Sequence, residues 1–373
     1  MKHYFLGVAA HFSAKETLAH TLAVGRERDR GALQRYLTQR YGGRTILTKN
    51  GRTALALAFE AYFKPGDGVI LNGFTCYAVY EAVKKAKLVP IWADIDKDSL
   101  NFDTDTLERA ISAASATNPD TNIRGMVVQN SLGNPADIVA IEKFAKQHNL
   151  IIIEDLAHCV GTKYPDGREV GTVGAASALS FGKDKAIDTI SGGAVVLRDP
   201  CNAAIKAPSK LPKISDTLRA RFYPLFGAIS RALSHVCLGG AWMRVLVKIH
   251  WVERSADNKL DTTRKIAKFE AKLALRQLKR LQRDNSGPLR EFCLVDNRAK
   301  LLAELRQNGY YFDGFWYERP VSPERYYRKV HFPETECPVA TEVASKIINL
   351  PTYYSKKDLQ KAREIIRKYE EKK

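Results

Sequence analysis

Short apolar runs alternate with helical stretches along the first two hundred residues of the chain. Residues 12–60 carry the composition and spacing of helices, with a break at Gly42-Gly43, and Ala54 to Tyr62 is their most apolar part. From Asp67 onward the rhythm is strand, then helix. Val69-Ile70-Leu71, Leu88 to Trp92, Met126-Val127-Val128, Ile151-Ile152-Ile153, Ala176 to Phe181 and Gly193 to Leu197 predict strands. Ala78 to Lys87, Thr104 to Ala114 and Asp137 to Gln147 predict helices. Apolar strands separated by helices indicate an α/β domain on a largely parallel sheet, and ligands of such sheets gather beyond the carboxyl ends of the strands. Asn72, Asn130 and Asp155 lie at or just past those ends. After residue 200 the pattern changes. Residues 216–250 are apolar and basic, and 259–282 are strongly helical. A last segment, with Phe292 to Val295, Tyr310 to Tyr317 and a charged helix over Lys357 to Lys373, reads as a smaller domain. The expected division is a large domain over 1–205, a basic, apolar helical insertion with a connecting helix over 206–283, and a small C-terminal domain over 284–373. There is no tandem repeat or low-complexity linker.

No apolar run approaches the roughly 20 residues that span a bilayer. His11 and Lys15-Glu16 interrupt the short apolar stretch near the start, which argues against a cleaved leader. Cys76, Cys159, Cys201, Cys237, Cys293 and Cys337 form no CxxC spacing, so neither a disulfide framework nor a metal site is expected, and a reducing, cytoplasmic setting fits. Charge changes the picture more. The chain carries a net +18, and residues 201–283 hold 18 Lys/Arg against 5 Asp/Glu. Such a field attracts nucleotides, phosphosugars, nucleic acid or anionic lipid. Nucleic acid finds no support beyond charge: no helix-turn-helix signature, zinc spacing or base-stacking aromatic pattern is present.

The candidate chemistry centres on Lys185, in Ser180-Phe181-Gly182-Lys183-Asp184-Lys185 and just ahead of Ser191-Gly192-Gly193. Asp155 closes the apolar run that begins at Ile151. A strand-end acid followed by a lysine in a polar turn can hold pyridoxal phosphate: the lysine forms the internal aldimine, and the acid keeps the ring nitrogen protonated. His158 is placed to donate to the cofactor's phenolate oxygen or to lie against its ring. Ser180 and the turn Gly51-Arg52-Thr53, which opens a helix, offer hydroxyl and backbone donors to a phosphate. Each piece alone has an ordinary explanation: a solvated lysine, a capping aspartate, a satisfied buried histidine, a strand serine. Their order along an α/β chain is what favours the cofactor.

These residues resemble the motifs of the DegT/DnrJ/EryC1/StrS family of pyridoxal-phosphate-dependent sugar aminotransferases, and the similarity spans nearly the whole chain. The phosphate turn reads Gly51-Arg52-Thr53-Ala54-Leu55. Asn72-Gly73-Phe74-Thr75-Cys76-Tyr77 stands where the family has Pro-x-x-Thr-aromatic. Gly133-Asn134-Pro135-Ala136-Asp137, Glu154-Asp155-Leu156-Ala157-His158 and the Ser180–Lys185 stretch match in order. Cys337-Pro338-Val339-Ala340 and Ile348-Asn349-Leu350-Pro351 resemble the closing substrate-site segments. The resemblance implies Lys185 rather than Lys183 as the reactive lysine, because the family's spacing from Ser180 falls on it. The resemblance implies a fold type I transferase: a large domain with a mainly parallel seven-stranded sheet between helices, and a smaller C-terminal α/β domain. It implies a homodimer and a transamination, with Lys185 as the acid–base that carries protons. L-Glutamate is the implied donor and a keto-sugar, nucleotide-linked or otherwise phosphorylated, the acceptor. A cyclitol or non-sugar ketone, or a non-catalytic regulatory member of the fold, are the alternatives.

Four places depart from the family pattern. Arg52 replaces a glycine of the phosphate turn. Cys76 replaces the aromatic that stacks on the cofactor, leaving Phe74 on the same face and Tyr77 pointing away. Thr263-Arg264-Lys265 stands for an Asn-x-Arg stretch that serves the neighbouring subunit. Residues 206–258 are longer and more basic and apolar than a crossover needs. They read as helices over the substrate entrance, as a peripheral membrane-facing surface, or as dimer or interdomain packing.

Overall fold

The computed structural model describes residues 3–199, 204–254, 257–284, 289–312 and 315–370, so Cys201 and residues 371–373 of the closing helix expected over 357–373 lie outside the described residues. The strands are β1 (Tyr4–Leu6), β2 (Arg44–Thr48), β3 (Gly68–Asn72), β4 (Thr75–Cys76), β5 (Val89–Ala93), β6 (Ile123–Val128), β7 (Ile151–Asp155), β8 (Ala176–Ser180), β9 (Gly193–Leu197), β10 (Arg290–Leu294), β11 (Tyr310–Phe312), β12 (Val321–Ser322) and β13 (Ile347–Pro351). The helices are α1 (Ala14–Thr21), α2 (Glu27–Tyr41), α3 (Gly51–Tyr62), α4 (Tyr77–Lys85), α5 (Thr104–Thr117), α6 (Ile138–Gln147), α7 (Ile214–Leu233), α8 (Gly239–Lys248), α9 (Lys268–Asp284), α10 (Arg298–Gln307), α11 (Glu324–Tyr327), α12 (Pro338–Lys346) and α13 (Gln360–Arg367).

Seven strands form one sheet in the order β2-β9-β8-β7-β6-β3-β5. The β5-β3-β6-β7-β8 run is parallel, and β9 lies antiparallel to both β8 and β2. Near-continuous apolar runs such as Ile151-Ile152-Ile153 suit strands covered on both faces. One face packs on α3, whose residues Ala54 to Phe59 are all buried; the other packs on α2, α6 and α9 through Leu33, Leu37, Ile141, Phe144 and Leu278. Asn50 starts α3 by accepting the Thr53 N–H on its side chain at 2.9 Å. The fold class is the one the chain's rhythm and motifs imply.

Two segments differ from expectation. Residues 44–48, read as helical, form edge strand β2. Gly42 and Gly43, with φ of 69° and 98°, end α2, and the β-branched Thr45, Ile46 and Thr48 then run against β9. The helix expected from residue 259 starts at Lys268. Asp261 Oδ1 accepts from both the N–H and the hydroxyl of Thr263, a local turn that competes with a helix.

A second core, with Leu301, Leu305, Phe312, Ile348, Leu350 and Ile365, belongs to the C-terminal unit, where β10 pairs antiparallel with β13. Strand β1 pairs parallel with β11, so the N-terminal residues join that unit across the boundary drawn at 284. A separate cluster unites Phe12, Tyr223, Leu246, Val252 and Phe269, fixing α7 and α8 beside α1 and α9.

Gly193 sits where β9 meets the start of α3. A Cβ there would lie 2.6 Å from the Asn50 carbonyl carbon and 2.7 Å from the Leu179 oxygen. Both are backbone atoms and cannot swing aside. Gly193→Ala is expected to cost about 1–3 kcal/mol in chemical denaturation; an unchanged midpoint would show that this junction yields.

Candidate active site

The carboxyl ends of β7 and β8 bring an acid and a lysine together. Asp155 is buried and accepts the Ala157 N–H at 2.9 Å. Burial pushes its carboxyl up to about 6, against the opposing pull of that N–H and of the Lys185 charge. Lys185 is half-buried in the turn between β8 and β9. Burial lowers the basicity of its amine; nearby Cys76 and Asp155 oppose that shift and Arg290 adds to it. Lys183, two residues earlier, faces elsewhere: its amine lies over the Tyr223 ring at 4.2 Å and donates to the Glu253 carbonyl.

The C-terminal unit closes the site with groups that the motifs do not mark. Lys185 Nζ lies 4.2 Å from the Trp316 ring centroid, and the Arg290 guanidinium lies 3.5 Å from it. Asn349 fixes that residue by accepting the Trp316 N–H at 2.6 Å and donating to its carbonyl at 3.0 Å. His158 stacks parallel on Trp316, with centroids 4.6 Å apart. Its Nδ1 accepts the Leu132 N–H at 3.1 Å, and Nε2 is 3.3 Å from the Tyr317 hydroxyl. Burial, then the charges of Lys185 and Arg290, lower its pKa well below the ordinary value, so the ring is neutral and carries its proton on Nε2. His158 therefore lies flat against a ring, that of Trp316, while both its nitrogens engage protein groups.

On the phosphate side, Gly51 touches Ser180: a Cβ at residue 51 would meet Ser180 Cβ at 2.6 Å and Oγ at 2.9 Å. Only a glycine lets the start of α3 approach the end of β8 this closely. The Arg52 and Thr53 side chains are engaged by other protein groups, which leaves their place in the turn to the backbone. The buried Arg52 guanidinium pairs with Glu81, as a buried charge requires. Thr53 Oγ1 meets the Asp261 backbone at 3.3 Å, and its N–H is taken by Asn50. Cys76 caps α4, accepting the Ala78 N–H on sulfur at 3.5 Å. Tyr77 points away and stacks on Tyr326, while Phe74 packs edge-on against Tyr317 at 5.2 Å. The aromatic ring beside Lys185 is thus Trp316, and Tyr317 packs on His158 next to it. Arg264 is bonded within its own chain, donating to the Leu211 carbonyl at 2.7 Å. Asn72 and Asn130 stabilise turns: Asn72 holds Phe74 N–H and Leu100 O, and Asn130 holds Ala136 N–H and the Tyr164 hydroxyl.

Two anchors hold the reactive residues. Glu154, fully buried before Asp155, accepts from Gly171 N (2.7 Å), Val173 N (2.9 Å), Gly174 N (2.6 Å) and the Tyr164 hydroxyl (2.8 Å). Beyond Lys185, Ser191 donates its hydroxyl to Glu270 at 2.6 Å. Burial pushes Glu270 up to about 7 from 4.5, with Ser191 and the Ala267 N–H opposing. An acid whose folded pKa is raised contributes stability below its unfolded pKa and loses it as pH rises. Glu270's share should therefore fall between pH 4.5 and 7, by at most about 3 kcal/mol. Denaturation at pH 5 and pH 8 should show that loss, and Glu270→Gln should remove it; equal slopes in the two proteins would disprove it.

A cavity of about 500 Å³ opens onto Lys185, His158 and Arg290, with His11, Asp184 and Tyr353 on its walls. Its size suits a small ligand. His11 reaches it from the N-terminal segment, its Nε2 3.2 Å from Asp188. Burial disfavours the charge on His11, but the Asp188 and Asp184 carboxylates beside it prevail and raise its pKa.

The donor set fits pyridoxal phosphate: an amine in the β8–β9 turn and a buried carboxyl at the end of β7 lie within electrostatic reach of each other, and the glycine-opened start of α3 lies against Ser180. Lys185, Asp155, Ser180 and Gly51 were legible from motif spacing. Trp316, Tyr317, Arg290 and His11 were not, because no local pattern marks them.

The chain matches the model of the DegT/DnrJ/EryC1/StrS aminotransferase family over residues 30–368. It is 34% identical to L-glutamine:2-deoxy-scyllo-inosose aminotransferase of Streptomyces kanamyceticus, over 42% of this chain and 34% of that protein. The chain thus spans about a third of that relative's length in the match. It is 24% identical to a pleiotropic regulatory protein of Geobacillus stearothermophilus, over 83% of this chain and 80% of that one. The fold superposes on Spr1654 from Streptococcus pneumoniae in its PLP-form with a TM-score of 0.65 at 17% identity, covering 96% of this chain and 97% of that one. With a family match over most of its length, the chain belongs to the DegT/DnrJ/EryC1/StrS aminotransferase family.

Proposed function

We propose that this protein is a pyridoxal-phosphate-dependent aminotransferase that moves an amino group from an amino acid to a keto-sugar, nucleotide-linked in the favoured case, and that it works as a homodimer. The observation that carries this reading is that Lys185, in the turn after β8, and Asp155, at the end of β7, lie close enough for their charges to act on each other, with Lys185 opening onto a cavity large enough for a small substrate. When bound, the cofactor supplies the electron sink. The chain's own residues supply the rest. Lys185 Nζ, with its basicity lowered by burial, can release and regain a proton near neutral pH more readily than an exposed lysine. Asp155 would hold the ring nitrogen. Trp316 covers the amine on the side of the C-terminal unit. Arg290 adds positive charge to the cavity, which favours a carboxylate-bearing donor or a phosphorylated acceptor.

The donor is L-glutamate in this reading. The Streptomyces relative is named for L-glutamine and for a cyclitol ketone, so both donors and a cyclitol acceptor belong in the assay. A second reading, a non-catalytic regulatory member, draws on the name of the Geobacillus relative. A visible spectrum of the purified protein, before and after each donor, separates them. A band near 410–430 nm (approximate) that moves to about 330 nm supports amino transfer. A band that ignores both donors counts against this transamination. No band after addition of pyridoxal phosphate overturns the catalytic reading and favours the regulatory one.

A further inference from the structure

We propose that the α7–α8 hairpin is a docking surface for an anionic lipid bilayer. Nine of the fourteen large apolar side chains left exposed among the described residues fall between Leu211 and Trp251. They are arranged rather than scattered. On α7, Ile214, Leu218 and Leu225 recur at helical spacing along one stripe, with exposures of 79%, 37% and 37%. On α8, Val245 and Ile249 are four residues apart on one face, 51% and 55% exposed. Val236 and Leu238 project from the connection between the helices, and Trp251 follows α8. The Phe226 ring meets both Trp242 and Trp251 edge-on, so the two helices and the Trp251 turn form one unit. The opposite side of that unit is already committed. Tyr223, Leu246 and Val252 are buried in the cluster with Phe12 and Phe269.

Charge identifies the occupant. Residues 217–252 contain no Asp or Glu. Of their five cations, Arg219 pairs with the flanking Asp216 and Glu253, and Arg221 and Arg231 donate to backbone carbonyls, so Arg244 and Lys248 carry the argument. Arg244 and Lys248 are exposed and lie on α8 beside the Val245–Ile249 face. On α8, apolar side chains flanked by cations, without a carboxylate, match the interfacial layer of a membrane with anionic headgroups; on α7 the one acid, Asp216, is paired with Lys49. An apolar protein partner would not need the missing carboxylates. No described helix is long and apolar enough to cross a membrane, so the hairpin would lie on the surface. Its inner side holds Lys183 through Tyr223 and Glu253, two residues from Lys185, so docking would set the reactive turn close to the lipid surface.

Flotation with vesicles tests this, using phosphatidylcholine alone and phosphatidylcholine with phosphatidylglycerol. The protein should float with the anionic vesicles and stay behind with the neutral ones. The R244Q/K248Q variant should lose binding about 25-fold, at roughly fivefold for each cation. The V245D/I249D variant should lose it at least about tenfold, with an unchanged unfolding midpoint because both positions are exposed. If one variant failed to fold, the other still decides. No flotation with anionic vesicles, or equal flotation with both kinds, overturns the proposal. So does a wild-type dimer that V245D/I249D splits into monomers without any lipid binding, which would make the patch a contact between copies of the chain.

Discussion

Lys185→Ala is expected to yield a folded protein with no donor-responsive visible band and with amino transfer reduced by about 10⁴-fold or more. The magnitude follows from losing both the nucleophilic amine and the acid–base at one position. The fold should survive. Lys185 packs near the cations of Arg290, and burial disfavours its own charge, so its removal relieves a cost. Unfolding midpoints of variant and parent should agree or favour the variant. Lys183→Ala is the matched control. That side chain serves the Tyr223 ring and the Glu253 carbonyl, so its loss should lower stability and leave the band in place. A band that persists in Lys185→Ala and vanishes in Lys183→Ala would transfer the chemistry to the other lysine.

Glu154→Ala should have the opposite profile, with a stability loss of about 3–5 kcal/mol. Three backbone N–H groups and the Tyr164 hydroxyl converge on this carboxylate, and Arg198 Nη2 lies 3.6 Å from it. Removing it leaves those donors buried without an acceptor, and each such group is costly. Glu154→Gln should be intermediate, since an amide keeps one acceptor and places two donors among donors. Urea titration would measure the difference; a loss under about 1 kcal/mol would mean that the Gly171–Gly174 loop relaxes or admits water. Neighbouring Asp155 contrasts with it. Burial already penalises its ionised form, so Asp155→Ala should cost activity and little stability. Two adjacent carboxylates in one motif thus divide the work: the first ties a loop to the sheet, and the second stays available for a ligand.

How much of this was legible in the chain depends on how far apart the cooperating residues lie. Strands β3 and β5 to β9 could be read because their apolar runs stand between polar helix ends; the two-residue β4 is too short to leave a pattern. β2 could not, because five residues between two helices show little periodicity. Asp155, Ser180 and Lys185 follow from local spacing, since one sheet carries all three. Arg52 matched a motif position, yet Glu81, a full helix later, takes its guanidinium. Trp316, Asn349 and Arg290 reach the site from the C-terminal unit, and only tertiary packing puts an indole from residue 316 against the imidazole of residue 158. The exposed stripe of α7 and α8 was visible as composition, while its separation into a buried and an open side needed coordinates.

The pairing of Tyr4 with Tyr310 joins the first strand of the chain to one made about 300 residues later. At about 5–20 residues per second, a ribosome would have released the first strand some 15–60 seconds before its partner emerged. The nascent N-terminus must therefore wait unpaired while the central sheet condenses behind it, and a contact of such high sequence separation forms late. Because the same segment delivers His11 to Asp188 beside the reactive turn, the surroundings of Lys185 are completed only once synthesis of β11 is over.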